Sequence, residues 1–153
     1  MKPDNYKILL IPLQIQDFKQ YYHLYYPDSY NDYENLAIDF TQDILQRCNE
    51  IFTIRMIENK NQIIGDCALH HWNQLKNEIE IGGSLKPEFW GKGIMADAFK
   101  ILINLAKDKY NVQTIVAKTE KSNSKAIKFA SKLGFNLVIN ENKKEVKLIK
   151  HLV

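Results

Sequence analysis

The sequence predicts an α/β domain built on one mixed sheet. Two observations carry that expectation. Strand-like apolar runs and helix-period stripes interleave in the order β-α-α-β-β-β-α-β-α-β-β, and no repeat, linker or low-complexity stretch interrupts them. A third sets the scale: 153 residues, 45% hydrophobic and 25% charged, make a single domain, residues 1–153, with enough chain for a core.

"YKILLIPL" (6–13) reads as a first strand broken by Pro12, and "QIQDFKQYYHLYY" (14–26) as a helix with Ile15, Phe18, Tyr22 and Tyr25 on one face. Pro27 ends that helix. After the loop "PDSYNDYE", the stretch "NLAIDFTQDILQRCN" (35–49) spaces Leu36, Phe40, Ile44 and Leu45 as a second amphipathic helix. "FTIRMI" and "QIIGDCALHHW" flank "ENKN", a hairpin signal. "NEIEIGGSL" (77–85) alternates like a strand, and its Gly82-Gly83 pair suggests a bulge. A helix follows with Ile94, Ala98, Ile101, Leu102 and Leu105 at helical spacing, then the strand "VQTIVAKT". "SNSKAIKFASKLGF" (122–135) has the clearest punctuation. Ser122 or Asn123 can cap it, Ala126, Ile127, Ala130 and Leu133 form its stripe, and Gly134-Phe135 reads as a Schellman stop. Strands "FNLVI" and "EVKLIKHLV", joined by "NENKK", finish the chain.

Composition narrows the function. The apolar run Ile8 to Ile11 is too short for a signal peptide or a membrane span, so the expected location is cytoplasmic, with no membrane partner. Cys48 and Cys67 form no C-x-x-C, which argues for free thiols rather than a disulfide framework or a zinc site. A net charge of +3 suits a phosphate-bearing small molecule and is too mild for a nucleic-acid protein. Arg is represented by Arg47 and Arg55 alone, so lysines supply most of the positive charge.

Gly91, Gly93 and Ala96 satisfy the G-x-G-x-x-G/A pattern of dinucleotide sites, but their context does not. Lys86 to Trp90 separate them from the preceding strand, and Thr114, Ile115 and Val116 stand where a ribose-binding acid belongs. No Lys-Ser or Lys-Thr follows, which removes a Walker A loop. What survives is either a plain turn opening a helix or small residues at a helix N-terminus, where backbone N–H groups and the helix dipole hold an anion.

"IEIGGSLKPEFWGKGIMADAFKIL" followed by "NSKAIKFASKLGF" resembles the GNAT superfamily of acetyl-CoA-dependent N-acetyltransferases, particularly its RimJ/RimL-like branch. The central likeness spans residues 78–137, and the upstream helix pair and hairpin fit the family's order of elements. The resemblance implies a mostly antiparallel mixed sheet flanked by helices. It implies that Trp90, Gly91, Lys92, Gly93, Ile94, Met95 and Ala96 wrap the coenzyme A pyrophosphate, while the pantetheine arm pairs with the strand ending at Ser84 and Leu85. Splaying at Gly82-Gly83 would open a wedge for the thioester. The family's Q/R-x-x-G-x-G/A pattern falls on Trp90, Gly93 and Met95, so its first and last positions deviate, Met95 with a bulky side chain. Asn123 carries over as a coenzyme contact, with helix capping as its alternative. Lys121, Lys125, Lys128 and Lys132 share one helix face, either attracting coenzyme phosphates or an acidic partner such as the ribosome, or simply solvated.

Acetyl transfer to an amine needs a proton acceptor, because a lysine-like amine with pKa near ~10 is mostly protonated at neutral pH. Glu80 is the leading candidate, just before Gly82-Gly83 where the family often has a glutamate, with Glu78 on the same strand face. His70 and His71 are rivals, and a solvated role is the plain alternative for all of them. Backbone N–H groups near Gly82, Gly83 or Ser84 would meet the oxyanion. The family's tyrosine acid, five residues before the Phe of "LGF", is Ala130 here, yet a thiol with pKa near ~8.5 leaves tolerably without help. The acceptor would be a small amine or a protein N-terminus. Six of the eight tyrosines lie between residues 21 and 33, and an acceptor cleft is expected near Tyr26, Asp28, Tyr30 and Asp32, where aromatic faces and carboxylates attract cations. The expected mechanism is direct transfer without metal, by a monomer or homodimer. The competing expectation is a coenzyme-A-binding sensor that has lost catalysis, motivated by Ala130 and Met95.

Overall fold

The computed structural model describes residues 7–29, 33–138 and 143–152. Its elements are β1 (Ile8–Pro12), α1 (Phe18–Tyr25), α2 (Glu34–Arg47), β2 (Cys48–Met56), β3 (Gly65–Asn73), β4 (Glu78–Leu85), α3 (Ile94–Tyr110), β5 (Thr114–Glu120), α4 (Ser124–Lys132), β6 (Asn136–Val138) and β7 (Glu145–His151). This is the order the sequence predicts. The strands form one seven-stranded sheet, β1-β2-β3-β4-β5-β7-β6, antiparallel throughout except where β4 meets β5. Pro12 is tolerated because β1 is an edge strand. Among the described residues no helix is long and apolar enough to cross a membrane.

Strand alternation divides the side chains between two layers. One face carries Ile8, Leu10, Ile54, Cys67, Leu69, Ile79, Ile81, Ile115 and Leu148, which pack with Ala98, Leu102 and Ala106 of α3 and Ala130 of α4. Each fully buried Ile or Leu contributes roughly 1.5–3 kcal/mol relative to exposure. The other face carries Leu13, Ile51 and Ala68, covered by Tyr21 of α1 and by Phe40, Ile44 and Leu45 of α2.

The α1 face differs from the expected one. Tyr21 is buried at 1% exposure, whereas Tyr25 is 41% exposed. Residues Ile15–Asp17 form a separate 3-10 turn, and its tighter winding shifts the phase of the stripe that a continuous helix would present. In α2 the buried positions are Ala37 and Thr41, and Leu36 is 53% exposed. The Thr41 hydroxyl is satisfied by the Ala37 carbonyl at 2.8 Å, which lets a polar residue take the inward position.

The expected bulge at Gly82-Gly83 is absent, since both stay in register with Ala68 and Cys67. Gly83 is required for another reason: a Cβ there would lie 2.7 Å from the Asp66 carbonyl and 3.1 Å from the Met95 sulfur, so glycine permits a close approach of α3. The irregularity falls instead on β3, between His70 and Asn73, where His71 takes a left-handed φ of 53°. The Schellman stop is complete. Gly134 N–H donates to the Ser131 carbonyl and Phe135 N–H to the Ala130 carbonyl, both at 3.0 Å, with Gly134 at φ 91°.

Candidate active site

The parallel contact between β4 and β5 lasts three residue pairs, Glu78 with Thr114, Ile79 with Ile115 and Glu80 with Val116. Beyond it β4 follows β3 as far as Leu85, and β5 follows β7 as far as Glu120. The two strands therefore part at Ile81, one residue before the expected point. The facing backbone edges of Ile81–Leu85 and Ala117–Glu120 have no partner strand among the described residues. Unpaired backbone edges accept an extended chain bearing amides.

At the mouth of this wedge Gly91 and Gly93 have φ of 75° and 77°. Gly93 is the N-cap of α3 without any side-chain cap, and the first helical bond is from Asp97 N–H to the Gly93 carbonyl at 3.1 Å. The N–H groups of Ile94, Met95 and Ala96 precede that bond and point out of the helix end. A Cβ on either glycine would meet nothing within 4 Å, so the space beside this donor set is open. These features fit a bound pyrophosphate and a pantetheine arm. Met95 does not fill that space, because its side chain turns back onto Gly83. Ile94 is buried in the core and offers the site its backbone alone. Trp90 donates its indole N–H to the Leu85 carbonyl at 2.8 Å, tying the loop to the end of β4 beside the half-buried Ser84. The Lys125 ammonium stands 5.8 Å over the Trp90 ring, and Lys92 stands 5.6 Å from the Phe89 ring. Lys128 is exposed on α4, while the Asn123 side chain accepts from Ala126 N–H at 3.1 Å and so caps that helix.

Where β4 begins to part from β5, Glu80, His70 and His71 form one group. His70 faces Glu80 by register, and the turn at His71 swings the next imidazole, which plain alternation would send to the opposite face, onto the same carboxylate. His70 Nε2 lies 2.7 Å and His71 Nδ1 2.5 Å from Glu80 Oε2, and Lys118 Nζ lies 3.5 Å from Oε1. Glu80 is 7% exposed. Burial pushes its pKa up, but hydrogen bonds from both imidazoles and the charges of His70 and Lys118 outweigh this and hold it near about 2. The exposed His71 ring, anchored through Nδ1, leaves Nε2 as the open position. Among the described residues this is also the one cluster with metal-ligand chemistry. The nearby Lys118 ammonium, and a buried His70 Nδ1 with no partner to orient a ligated ring, suit a proton site better.

A cleft of about 290 Å³ runs along this face under α1 and α2, lined by His70, His71, Gly82, Gly83, Ala68, Ile51, Cys48, Ile44, Arg47, Tyr21, Tyr25 and Asp66. Its far end is a buried polar group that the sequence reading missed. Tyr21 and Tyr25 donate their hydroxyls to Asp66 Oδ2 at 2.7 and 2.6 Å. Burial raises the pKa of Asp66 against the pull of these donors and the Ser84 backbone N–H. Burial first, then the Asp66 charge, raises the pKa of both hydroxyls, so they remain protonated. The signal was present in "IIGDCALHH", where one acid interrupts an otherwise inward-facing run. Tyr26 and Asp28 line a separate groove with Tyr22, Tyr33 and Leu36, and Tyr25 is the wall shared with the cleft. Tyr30 and Asp32 lie outside the described residues.

A sheet that opens into a wedge beside a helix N-terminus free of side-chain caps is built to take an extended, phosphate-bearing ligand. The chain belongs to the GNAT acetyltransferases: the family described as "Acetyltransferase (GNAT) domain" matches residues 7–136. It is 29% identical over 102 residues to the uncharacterized N-acetyltransferase p20 of Bacillus licheniformis, a match covering 61% of this chain and 57% of that protein. Its fold is similar to that of the dodecameric spermidine N-acetyltransferase of Vibrio cholerae, with TM-score 0.75 and 15% identity over 95% of this chain and 94% of the other. It is equally similar to the microcin C7 self-immunity acetyltransferase MccE, solved with acetyl-CoA and AMP, with TM-score 0.75 and 19% identity over 97% and 94%.

Proposed function

We propose that this chain is an acetyl-CoA-dependent N-acetyltransferase acting directly on a primary amine, with a small molecule favoured over a protein N-terminus as acceptor. The observation that carries this is the juxtaposition of the open β4–β5 wedge with the Glu80–His71 pair. The α3 N-terminus holds the coenzyme phosphates and the free β4 edge holds its amide-bearing arm. Bound there, acetyl-CoA supplies the activated acetyl group as a thioester.

A carboxylate held near about 2 is a weak proton acceptor, so Glu80 orients the imidazole and His71 Nε2 takes the proton from the attacking amine. Free backbone N–H groups on the Ile81–Ser84 edge meet the developing oxyanion. Ala130, buried in the core, offers no hydroxyl to the leaving thiolate, which departs unassisted. The compact cleft, closed at its far end by Asp66, supports a small acceptor. The likeness across residues 78–137 supports the RimJ/RimL-like branch, and the free thiols Cys48 and Cys67 support a cytoplasmic setting.

Ala130 also favours a second function, a coenzyme-A sensor. Calorimetric titration with acetyl-CoA, followed by thiol-release assays across an amine panel, separates the two. Binding with turnover is expected; binding with no turnover on any amine would establish the sensor.

A further inference from the structure

We infer that Tyr21, Tyr25 and Asp66 form a recognition site for a second, positively charged amine on the acceptor, so that the substrate class is a short diamine or its equivalent. This rests on the acetyltransferase function proposed above and adds a specificity determinant to it.

Asp66 is 3% exposed and lines the cleft, yet no cation pairs with it among the described residues. Arg47, the one arginine at the cleft, is paired with Asp43 at 2.9 Å. Asp66 Oδ1 is buried without a hydrogen-bond partner, the Ser84 backbone N–H acting on the carboxyl without closing a bond to that oxygen. Burying a carboxylate with no counter-ion is costly, and a cation seated in the adjoining cleft offsets that cost.

The two tyrosines sharpen the selection. Each hydroxyl has committed its hydrogen to Asp66 Oδ2, so toward the cleft it presents only lone pairs. The rings meet edge to face with centroids 5.6 Å apart, adding aromatic surface. This end of the cleft therefore accepts hydrogen bonds, and a cation seated there stabilises the ionised form of the carboxyl one bond behind them. An ammonium offers three donors and a positive charge; a hydroxyl offers one donor and no charge, and a carboxylate or alkyl terminus offers neither.

Position then gives the spacing. Asp66 and His70 lie on the same face of β3, four residues apart, which is about 13 Å along the strand. Gly82 and Gly83, where the wedge opens, stand between them opposite Ala68 and Cys67. One amine loses its proton to His71, next to His70, while the other stays charged at the Asp66 end; with each nitrogen about 3 Å from its partner, roughly 7 Å remains for a spacer of a few methylenes.

The test is a chain-length series of α,ω-diamines against monoamines of equal length, measured as kcat/KM and by calorimetric binding of each amine to the protein alone. The expected result is a diamine preference of about tenfold or more, carried mainly by KM, with an optimum length. Asp66→Asn, which keeps an acceptor for both tyrosines, is expected to collapse that preference. Tyr25→Phe, at a partly exposed ring that tolerates the change, is expected to reduce it severalfold. Equal kcat/KM for diamines and monoamines, or a preference that survives both variants, overturns the proposal. If no amine turns over, the catalytic function fails separately. Diamine binding weakened by Asp66→Asn then still supports the cation site, and no diamine binding overturns it.

Discussion

The two faces of the sheet are built from the same strands and behave as different materials. Along β3 and β4, Cys67, Leu69, Ile79 and Ile81 look toward α3 and are almost wholly apolar, while Asp66, Ala68, His70, Glu80 and Gly82 look the other way and hold most of the ionisable groups of the site. Period-two alternation places a residue chosen for packing next to one chosen for chemistry. The lesson is that a substitution on one face should move stability and on the other activity, even between sequence neighbours.

The sharpest break of that division is His71→Gln. With its partner Glu80 left in place, kcat is expected to fall by about 10²–10⁴ while acetyl-CoA affinity and melting temperature stay near wild type. A simultaneous collapse of the melting temperature would show that the polar face is structural. On the opposite face Leu102→Ala should cost about 2–5 kcal/mol in denaturant unfolding, because Leu102 is fully buried, and leave kcat of the folded fraction unchanged.

Glu80 belongs to both categories, and pH exposes it. Its folded pKa of about 2 lies below its ordinary 4.5, so the stabilisation it supplies is present above pH 4.5 and is lost as pH falls toward about 2. The amount is on the order of 3 kcal/mol, and Glu80→Gln should flatten that part of a stability–pH curve. If Glu80 itself were the base, the acid limb of kcat would fall in that same low range; an acid limb at clearly higher pH excludes Glu80 as the base. The smallest effect is expected of Asn123→Ala. Loss of the α4 cap should cost about 1 kcal/mol with no change in KM for acetyl-CoA. A rise in KM would restore Asn123 as a coenzyme contact.

Much of the fold was legible because local signals and tertiary demands agreed. Gly134-Phe135 ends α4 with the bonds its residue types predict, and Gly91 and Gly93 form the turn that opens a helix, as their place before the apolar stripe predicts. Tyr21 was not legible, because a 3-10 turn reset the helical phase. Nor was the meeting of His70, His71 and Glu80, which depends on strand register and on one left-handed residue. Asp66 was hidden for a related reason: its partners come from α1, far away in the chain.

Three residue pairs are all that join β4 to β5, so the sheet behaves as two panels sewn by a short seam, with the Phe99–Phe129 contact at 5.4 Å as a stitch on the helical side. Such a seam is where the molecule should breathe: the amides of Ile81–Leu85 and Ala117–Glu120 that face the gap are expected to exchange with solvent sooner than those of β2 and β3. A guest laid along the gap completes the fabric. On the proposed function the coenzyme is thus a mechanical member of the domain, and its arrival should make the two panels melt as one.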